Sequence, residues 1–501
     1  MNSITLTPVQ TSLEEYFAPY RKNIIGYDSY FESVDGRKKI LYCDWTASGR
    51  IYGPIEERII KDIAPFVANT HTETNYTGSF MTNAYHEALQ IIKQHVNANA
   101  NDVIISSGSG MTGVINKLQR ILGFRIHEKY KDQVNIKDMD RPVIFCTHME
   151  HHSNQTSWLE TIAELVLIGA DKEGLVDLNS LEMLLSKYKD RKIKIAAVTS
   201  CSNVTGIKTP FHEMAAIMHK NNGLCFVDFA CSAPYININM HPKDPLQALD
   251  AIYFSPHKFL GGPGTTGILI FNGKLYNNRV PDHPGGGTVD WTNPWGGHKY
   301  IDDIEAREDG GTPAFLQTIK AAMCIKLKDE MGVENILKRE KEILDIIWKE
   351  LSDIPGLHIL AENIKERLGV ISFYIEALHF NLGVKLLNDK FGIQVRGGCS
   401  CAGTYGHFLL NVDEGYSKII TDQINVGDLT NKPGWIRMSI HPVMTNEEIY
   451  ILTSGVKQLA INFKEWAIDY NYYTRTNDFK HKKFDDNTDL IIETLFEESY
   501  Q

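Results

Sequence analysis

The sequence predicts an α/β protein: a large domain on a mostly parallel sheet, followed by a smaller α+β C-terminal domain. Short apolar, β-branched runs alternate with longer helical patterns along the first part of the chain. Those runs are continuously apolar, as strands covered on both faces are. After Pro313 the texture changes to long helical stretches with a few isolated strands.

In chain order, strands are expected over Asp102–Ser106, Pro142–Cys146, Ile193–Ser200, Leu224–Asp228, Ala251–Phe254 and Gly267–Phe271. Helical patterns lie between them, as at Leu178–Lys189 and Pro210–Asn221. Phe315–Leu351 reads as one long helical run, rich in Lys, Glu, Ile and Leu. Strand Val370–Ile375, helix Phe380–Phe391, strands Gly392–Arg396 and Trp435–Ile440, and helix Asn446–Ile468 follow. The expected divisions are an N-terminal segment over 1–40, a large domain over 41–325, a small domain over 326–468 and a C-terminal extension over 469–501. The large-to-small boundary falls inside the long helical run, with no Pro/Gly linker to mark it.

Composition narrows the function. With 501 residues, 43% hydrophobic and 23% charged, the chain has ordinary globular usage and length for a large core. The 51 Lys and Arg stand against 62 Asp and Glu, a net charge of −11. That balance argues against a nucleic-acid partner, which needs clustered cations. No apolar run approaches membrane-spanning length, and Met1–Gln10 lacks a signal peptide's basic and apolar regions. The expectation is a cytoplasmic protein. Eight cysteines are too few for a disulfide scaffold, and most have apolar flanks. Cys399-Ser400-Cys401 differs, because it sits among glycines.

Polar clusters follow the strand ends, where open α/β sheets bind ligands. Gly108–Gly113 fits G-x-G-x-x-G, a phosphate cup or simply a Gly-rich turn; the motif alone does not separate them. His148, His151 and His152 lack the spacing and the further ligands of a zinc site, so no metal is expected. Asp228 ends an apolar strand, where an unpaired carboxylate is costly to bury. A pyridinium partner or a structural ion pair would each resolve that cost. Lys258 follows a buried strand and precedes a Gly-dense loop. A lysine there can form a Schiff base with an aldehyde cofactor when its surroundings lower its pKa.

Together these residues resemble a fold-type I pyridoxal-phosphate enzyme of the class V aminotransferase family. The nearest likeness is to group II cysteine desulfurases and selenocysteine lyases. The motifs are Asp44-Trp45-Thr46-Ala47-Ser48, Glu150-His151-His152-Ser153-Asn154, Ser202–Gly206, Val227-Asp228, His257-Lys258 and Arg396–Ala402, in order over roughly 41–442. The resemblance implies pyridoxal 5'-phosphate as cofactor, held by Lys258 as a Schiff base. It implies that His151 stacks on the ring, Asp228 pairs with the ring nitrogen, and Gly110, Met111, Thr112, Ser255 and His257 form the phosphate cup. Asn203 would lie near the phenolic oxygen and the substrate carboxylate. Arg437 would grip that carboxylate, with Arg396 at the site edge. Cys401 aligns with the nucleophile that takes sulfur or selenium from L-cysteine or selenocysteine as a persulfide, releasing alanine. A homodimer and a sulfur-acceptor protein are also implied.

Three departures stand out. Cys231 occupies a cofactor-contacting position often filled by Gln. Cys399 creates a C-x-C pair with Cys401 that could resolve a persulfide or form a disulfide. The hydroxyl that a partner subunit commonly adds to the phosphate cup is unassigned, with Gly285–Thr288 the candidate region. The alternative reading is another class V enzyme, an aminotransferase, C–S lyase or epimerase working without a persulfide. A nicotinamide dehydrogenase using Gly108–Gly113 would leave Lys258, Asp228 and Asn203 unexplained. A non-catalytic scaffold would leave Lys258, Asp228, His151 and Arg437 idle.

Overall fold

The computed structural model describes residues 12–70, 72–484 and 488–497; the polar stretch Met1–Gln10 lies outside them. A seven-stranded sheet dominates. Its strands are β1 (Asp102–Ser107), β2 (Val143–Cys146), β3 (Glu164–Leu167), β4 (Lys194–Thr199), β5 (Leu224–Asp228), β6 (Ala251–Phe254) and β7 (Gly267–Asn272). They run in the order β1-β7-β6-β5-β4-β2-β3. Neighbours from β6 to β3 pair parallel, whereas β7 pairs antiparallel with both β1 and β6. The reason lies in the connection. A parallel return needs a crossover, usually a helix; residues 255–266 form a Gly-rich loop instead, so the chain comes straight back. That loop leaves Lys258 at the carboxyl end of β6.

The strand β3 is not among the expected strands, although Leu165–Ile168 is continuously apolar; it is a four-residue edge strand whose residues are only half covered. The inner strands β2, β4 and β6 are buried at every position. Helix α1 (Gly110–Ile121) follows β1, and α2 (His152–Leu159) follows β2. Both begin at the carboxyl edge of the sheet and aim their N-termini at one place.

A four-stranded antiparallel sheet forms the second layer, from β8 (Leu357–Ile359), β9 (Val370–Ile375), β10 (Arg396–Gly398) and β11 (Trp435–Ser439). The run expected as one helix over Phe315–Leu351 is two, Phe315–Met331 and Val333–Leu351. Gly332 separates them with φ +74°, a conformation that other residues resist. The strand expected over Gly392–Arg396 also divides. Ile393–Gln394 pairs in parallel with Leu41–Tyr42, while Arg396–Gly398 joins the small sheet. Segment 41–46 is stitched to that sheet again, by Ser439 N to Cys43 O (2.7 Å) and Thr46 N to Ser439 Oγ (2.9 Å).

Residues past Asp469 start with a hairpin, Tyr470–Tyr473 with Asp478–His481. It is docked: Tyr470 Oη donates to buried Asp389 (2.8 Å), and Tyr472 and Phe479 pack on His379. Helix Thr488–Glu497 follows. Among the described residues, no helix is long and apolar enough to cross a membrane.

Close backbone approach sets the register of α1 against β7. A Cβ at Gly267 would stand 2.1 Å from Gly110 O. Gly267→Ala should therefore push the start of α1 away, costing about 1–3 kcal/mol of stability by overpacking. Urea unfolding checks this; an unchanged midpoint would show that the contact relaxes freely.

Candidate active site

Gly110, Met111, Thr112, His151, Asn203, Asp228, Cys231, Ser255, His257, Lys258, Arg396, Cys401 and Arg437 line one cavity of about 470 Å³ at the carboxyl edge of the large sheet; His148, His152, Cys399 and Gly285–Thr288 do not. The strand ends account for this. β1 leads into Gly110, Met111 and Thr112, β2 into His151, β4 into Asn203, β5 ends on Asp228, and β6 leads into Ser255, His257 and Lys258. The small sheet supplies Arg396 and Arg437, and the loop after β10 supplies Cys401.

On one side, Met111 N donates to Ser255 Oγ at 2.7 Å, and Thr112 and Ser153 share a hydroxyl hydrogen bond at 2.6 Å. Backbone N–H groups at the start of a helix together with hydroxyls favour an anion. The His257 pKa is pushed down to about 4, by burial first and by Lys258 second. Thr288, in the candidate region for a partner's hydroxyl, is buried within its own chain, and its Oγ1 donates to Gly285 O at 2.7 Å.

Lys258 and Asp228 share the floor. Burial lowers the Lys258 pKa, against the opposing pull of Cys231 and Asp228. Burial raises the Asp228 carboxyl to about 6, opposed by the Ala230 N–H at 2.8 Å and by Lys258. His151 is driven down to about 3, by burial and then by Lys258, so its imidazole is neutral at physiological pH. Its Nδ1 accepts from Ser153 N at 3.1 Å. Cys231 and Cys201 both direct their thiols at Ser202 O, at 3.7 and 3.6 Å, and the neighbouring Cys201 thiol, then Lys258, lowers the Cys231 pKa against burial. Behind the floor, Glu150 accepts from Thr147 Oγ1 (2.6 Å), Asn154 Nδ2 (2.7 Å) and Thr199 N (2.9 Å). Burial outweighs those donors and lifts its pKa to about 8, leaving Asp228 the anionic carboxyl of the pair.

The arginines are engaged rather than open. Arg437 Nη2 donates to Asp44 Oδ1 at 2.7 Å and Nη1 to Asn203 O at 3.1 Å, while its buried Nε has no partner. Arg396 Nε donates to Asp44 Oδ2 at 3.0 Å. Asp44 thus bridges the two guanidiniums. Sequence reasoning quoted Asp44 in a motif without giving it a role. The signal was present, because Asp44 follows the run Leu41-Tyr42-Cys43 much as Asp228 ends its strand.

Cys401 is exposed to the cavity mouth, and Cys399 is half-buried. Six other cysteines are buried and free. Ser400 and Cys401 have φ of +52° and +56°, a left-handed pair that costs non-glycine residues roughly 1–2 kcal/mol each. Hydrogen bonds hold them there. His152 N donates to Cys401 O and Asn203 Nδ2 to Ser400 O, both at 2.7 Å, and Trp435 Nε1 to Ser400 Oγ at 3.1 Å. Asn203 is thereby tied to the cysteine loop, and its buried Oδ1 is left without a partner. His148 and His152 are likewise spent on Gly174 O and Gly403 N.

These residues fit pyridoxal phosphate. Lys258 offers an amine that burial holds toward its neutral form, Asp228 a buried carboxylate, and the start of α1 a cup for the phosphate. The orphaned Arg437 Nε awaits an acceptor such as a carboxylate.

The fold and cavity define a fold-type I architecture: a large α/β layer with its site between strand ends and a smaller sheet. Comparison gives the family. The aminotransferase class-V model matches residues 41–452, and the chain belongs to that family. A probable cysteine desulfurase of Halalkalibacterium halodurans is 27% identical over 375 residues, covering 74% of this chain and 86% of the relative. One from Staphylococcus epidermidis is 29% identical over 377 residues, covering 74% and 85%. Two solved structures share the fold. An apo cysteine desulfurase from Thermococcus onnurineus has a TM-score of 0.69 at 23% identity, over 88% of this chain and 97% of that one. CsdA from Escherichia coli has 0.68 at 19%, over 89% and 98%.

The raised Asp228 pKa has a stability consequence. Its folded value, about 6, exceeds the ordinary 3.8, so the folded apoprotein holds a proton that the unfolded chain has released. Stability must then fall as pH rises from about 4 to about 6, by about 3 kcal/mol from this group. Asp228→Asn should flatten that part of the profile, measured as the difference in unfolding free energy between variant and wild-type apoprotein. Parallel profiles would refute it.

Proposed function

We propose that this chain is a pyridoxal-phosphate-dependent cysteine desulfurase-like enzyme that converts L-cysteine, or its selenium analogue, to alanine with transient persulfide on Cys401. One observation carries the reading: a cysteine at the mouth of the cavity faces the same space as a half-buried lysine, a buried aspartate and two arginines. The desulfurase names of the relatives support it.

When bound, the cofactor supplies an aldehyde for amine capture and an electron-withdrawing ring. The protein does the rest. Lys258 holds the cofactor and then carries the substrate α-proton, a task suited to an amine whose charged form is disfavoured by burial. Asp228 keeps the ring nitrogen protonated. Neutral His151 covers the ring, and the cup from Gly110 to Thr112 with Ser255 and His257 fixes the phosphate. Arg437, with Arg396 beside it, orients the substrate carboxylate. Cys401 forms an S–S bond to the substrate sulfur as the Cβ–S bond breaks. The carbon keeps that electron pair, gains a proton and leaves as alanine, while the sulfur stays as a persulfide. The exposure of Cys401 leaves room for an acceptor to collect it. The resemblance further supports a homodimer and a sulfur-acceptor protein as partners.

Product analysis tests the reading. Loaded enzyme with L-cysteine and a thiol reductant should yield alanine and sulfide in equal amounts. Pyruvate in place of alanine would move the function to β-elimination. Cys401→Ser should keep the cofactor absorbance yet lose at least a hundredfold in alanine formation. Lys258→Ala should abolish the borohydride-reducible adduct; an adduct on another lysine would overturn the assignment.

A further inference from the structure

Helix α1 opens on the phosphate cup, and its far end is held by a clamp of buried charges. Lys117, in the latter half of the helix, is 2% exposed, and its Nζ donates to Glu308 Oε2 at 2.7 Å; the Glu308 side chain is wholly buried. The same Nζ stands 3.4 Å from Asp282 Oδ2 and 3.3 Å from His283 Nδ1. Three residues on, Arg120 grips Asp282 with two hydrogen bonds, Nε to Oδ1 at 2.7 Å and Nη2 to Oδ2 at 2.9 Å. The two acids are tied together and to their own segment, because Glu308 accepts from Asp282 N at 3.0 Å and from Tyr276 Oη at 2.7 Å. None of these side chains lines the cavity.

Stability is a poor account of the clamp. Desolvating both partners of a buried ion pair offsets their attraction, and apolar side chains of like size often stabilise as well. Direction is what the pair adds. The other large buried side chains of α1, from Met111 to Ile121, are mostly apolar. Their contacts are non-directional and leave a short helix free to shift along its axis, whereas hydrogen bonds fix distance and angle. A helix moves as one piece, so a shift at Lys117 is also a shift at Gly110, Met111 and Thr112. The front end has little tolerance for it: Met111 N lies 2.7 Å from Ser255 Oγ. Lys117 and Arg120 are matched by Glu308 and Asp282, so these four side chains add no net charge behind the cup.

We propose that Lys117 and Glu308, supported by Arg120 and Asp282, are positioning residues for the cofactor phosphate: the clamp fixes α1 along its axis and so sets where the N–H groups of the cup point. The inference rests on the pyridoxal-phosphate reading of the site and needs no persulfide. The four residues act through α1 and touch neither cofactor nor substrate.

The test reads cofactor affinity, not turnover. Full-length protein freed of cofactor is titrated with pyridoxal phosphate and with pyridoxal, following the visible absorption band. Both ligands carry the aldehyde that Lys258 captures, and they differ in the phosphate, so the ratio of their dissociation constants isolates the cup. Wild type should favour pyridoxal phosphate by at least about a hundredfold, as several charge-assisted hydrogen bonds give. Lys117→Met with Glu308→Gln removes one charge of each sign and leaves an amide to serve Tyr276 and Asp282 N. It should reduce that preference at least about fivefold, in keeping with the sensitivity of such contacts to small displacements. If that variant does not fold, Arg120→Ala with Asp282→Asn carries the test with the same expectation, because Arg120 is 39% exposed and its removal opens no closed cavity. A reduction below fivefold in the variant that decides would overturn the proposal. A merely structural role predicts that result, with a lower urea midpoint and both ligands weakened together. Equal binding of the two ligands by wild type would overturn the cup and the proposal with it. Failure of alanine and sulfide to form from L-cysteine would instead refute the desulfurase reading and leave the ratio test intact.

Discussion

Holding several charges in one cavity, away from bulk water, is the constraint on which this site depends. A buried ammonium, a buried carboxylate and a buried guanidinium are each costly alone. The protein places them where they offset one another. Asp228 faces Lys258 on the floor, and Asp44 joins Arg437 to Arg396 on the wall. The offset on the floor is incomplete: Lys258 is pushed down and Asp228 up, so both are held in states that a complementary ligand would relieve. That imbalance is what makes the cavity a site and not merely a salt-bridged core.

The fold supplies this arrangement through strand ends. Parallel strands deliver their carboxyl ends to one edge, so residues far apart in sequence arrive together without long loops. The single antiparallel strand β7 matters for a different reason. Because residues 255–266 return directly, Lys258 is anchored between two adjacent strands, and Gly267 lets the start of α1 close against β7. The second layer then caps the edge. Its strands bring Arg396 and Arg437, and their hydrogen bonds to 41–46 lock Asp44 in register with both.

The cysteine loop shows how strain and function are balanced. Two consecutive residues in the left-handed region would relax if free. They are held instead by donors from His152, Asn203 and Trp435, which come from the large sheet and the small one. Asn203 consequently serves the loop with its amide N–H, a use that its motif did not reveal.

Much of this was legible in the sequence. Uninterrupted apolar runs marked the inner strands, because burial on both faces leaves no room for alternation. Asp228 and Lys258 stood out because charged residues at the ends of such runs demand an explanation. The class V motifs ordered the rest, and every residue given a cofactor, substrate or nucleophile role from them lines the cavity. Other features depended on distance in space. The short apolar run Leu165–Ile168 did not by itself mark the edge strand β3, because four apolar residues fit a helix or a strand equally, and the helical run over Phe315–Leu351 concealed a break that the backbone conformation of Gly332 exposes. The Asp44 bridge required knowing that a strand near the start of the chain pairs with one more than three hundred residues later. Local pattern determined which residues are unusual, since propensity and burial act along the chain. The tertiary structure alone decided which charges neutralise which, because electrostatic pairing depends on separation and shared burial and not on order in sequence.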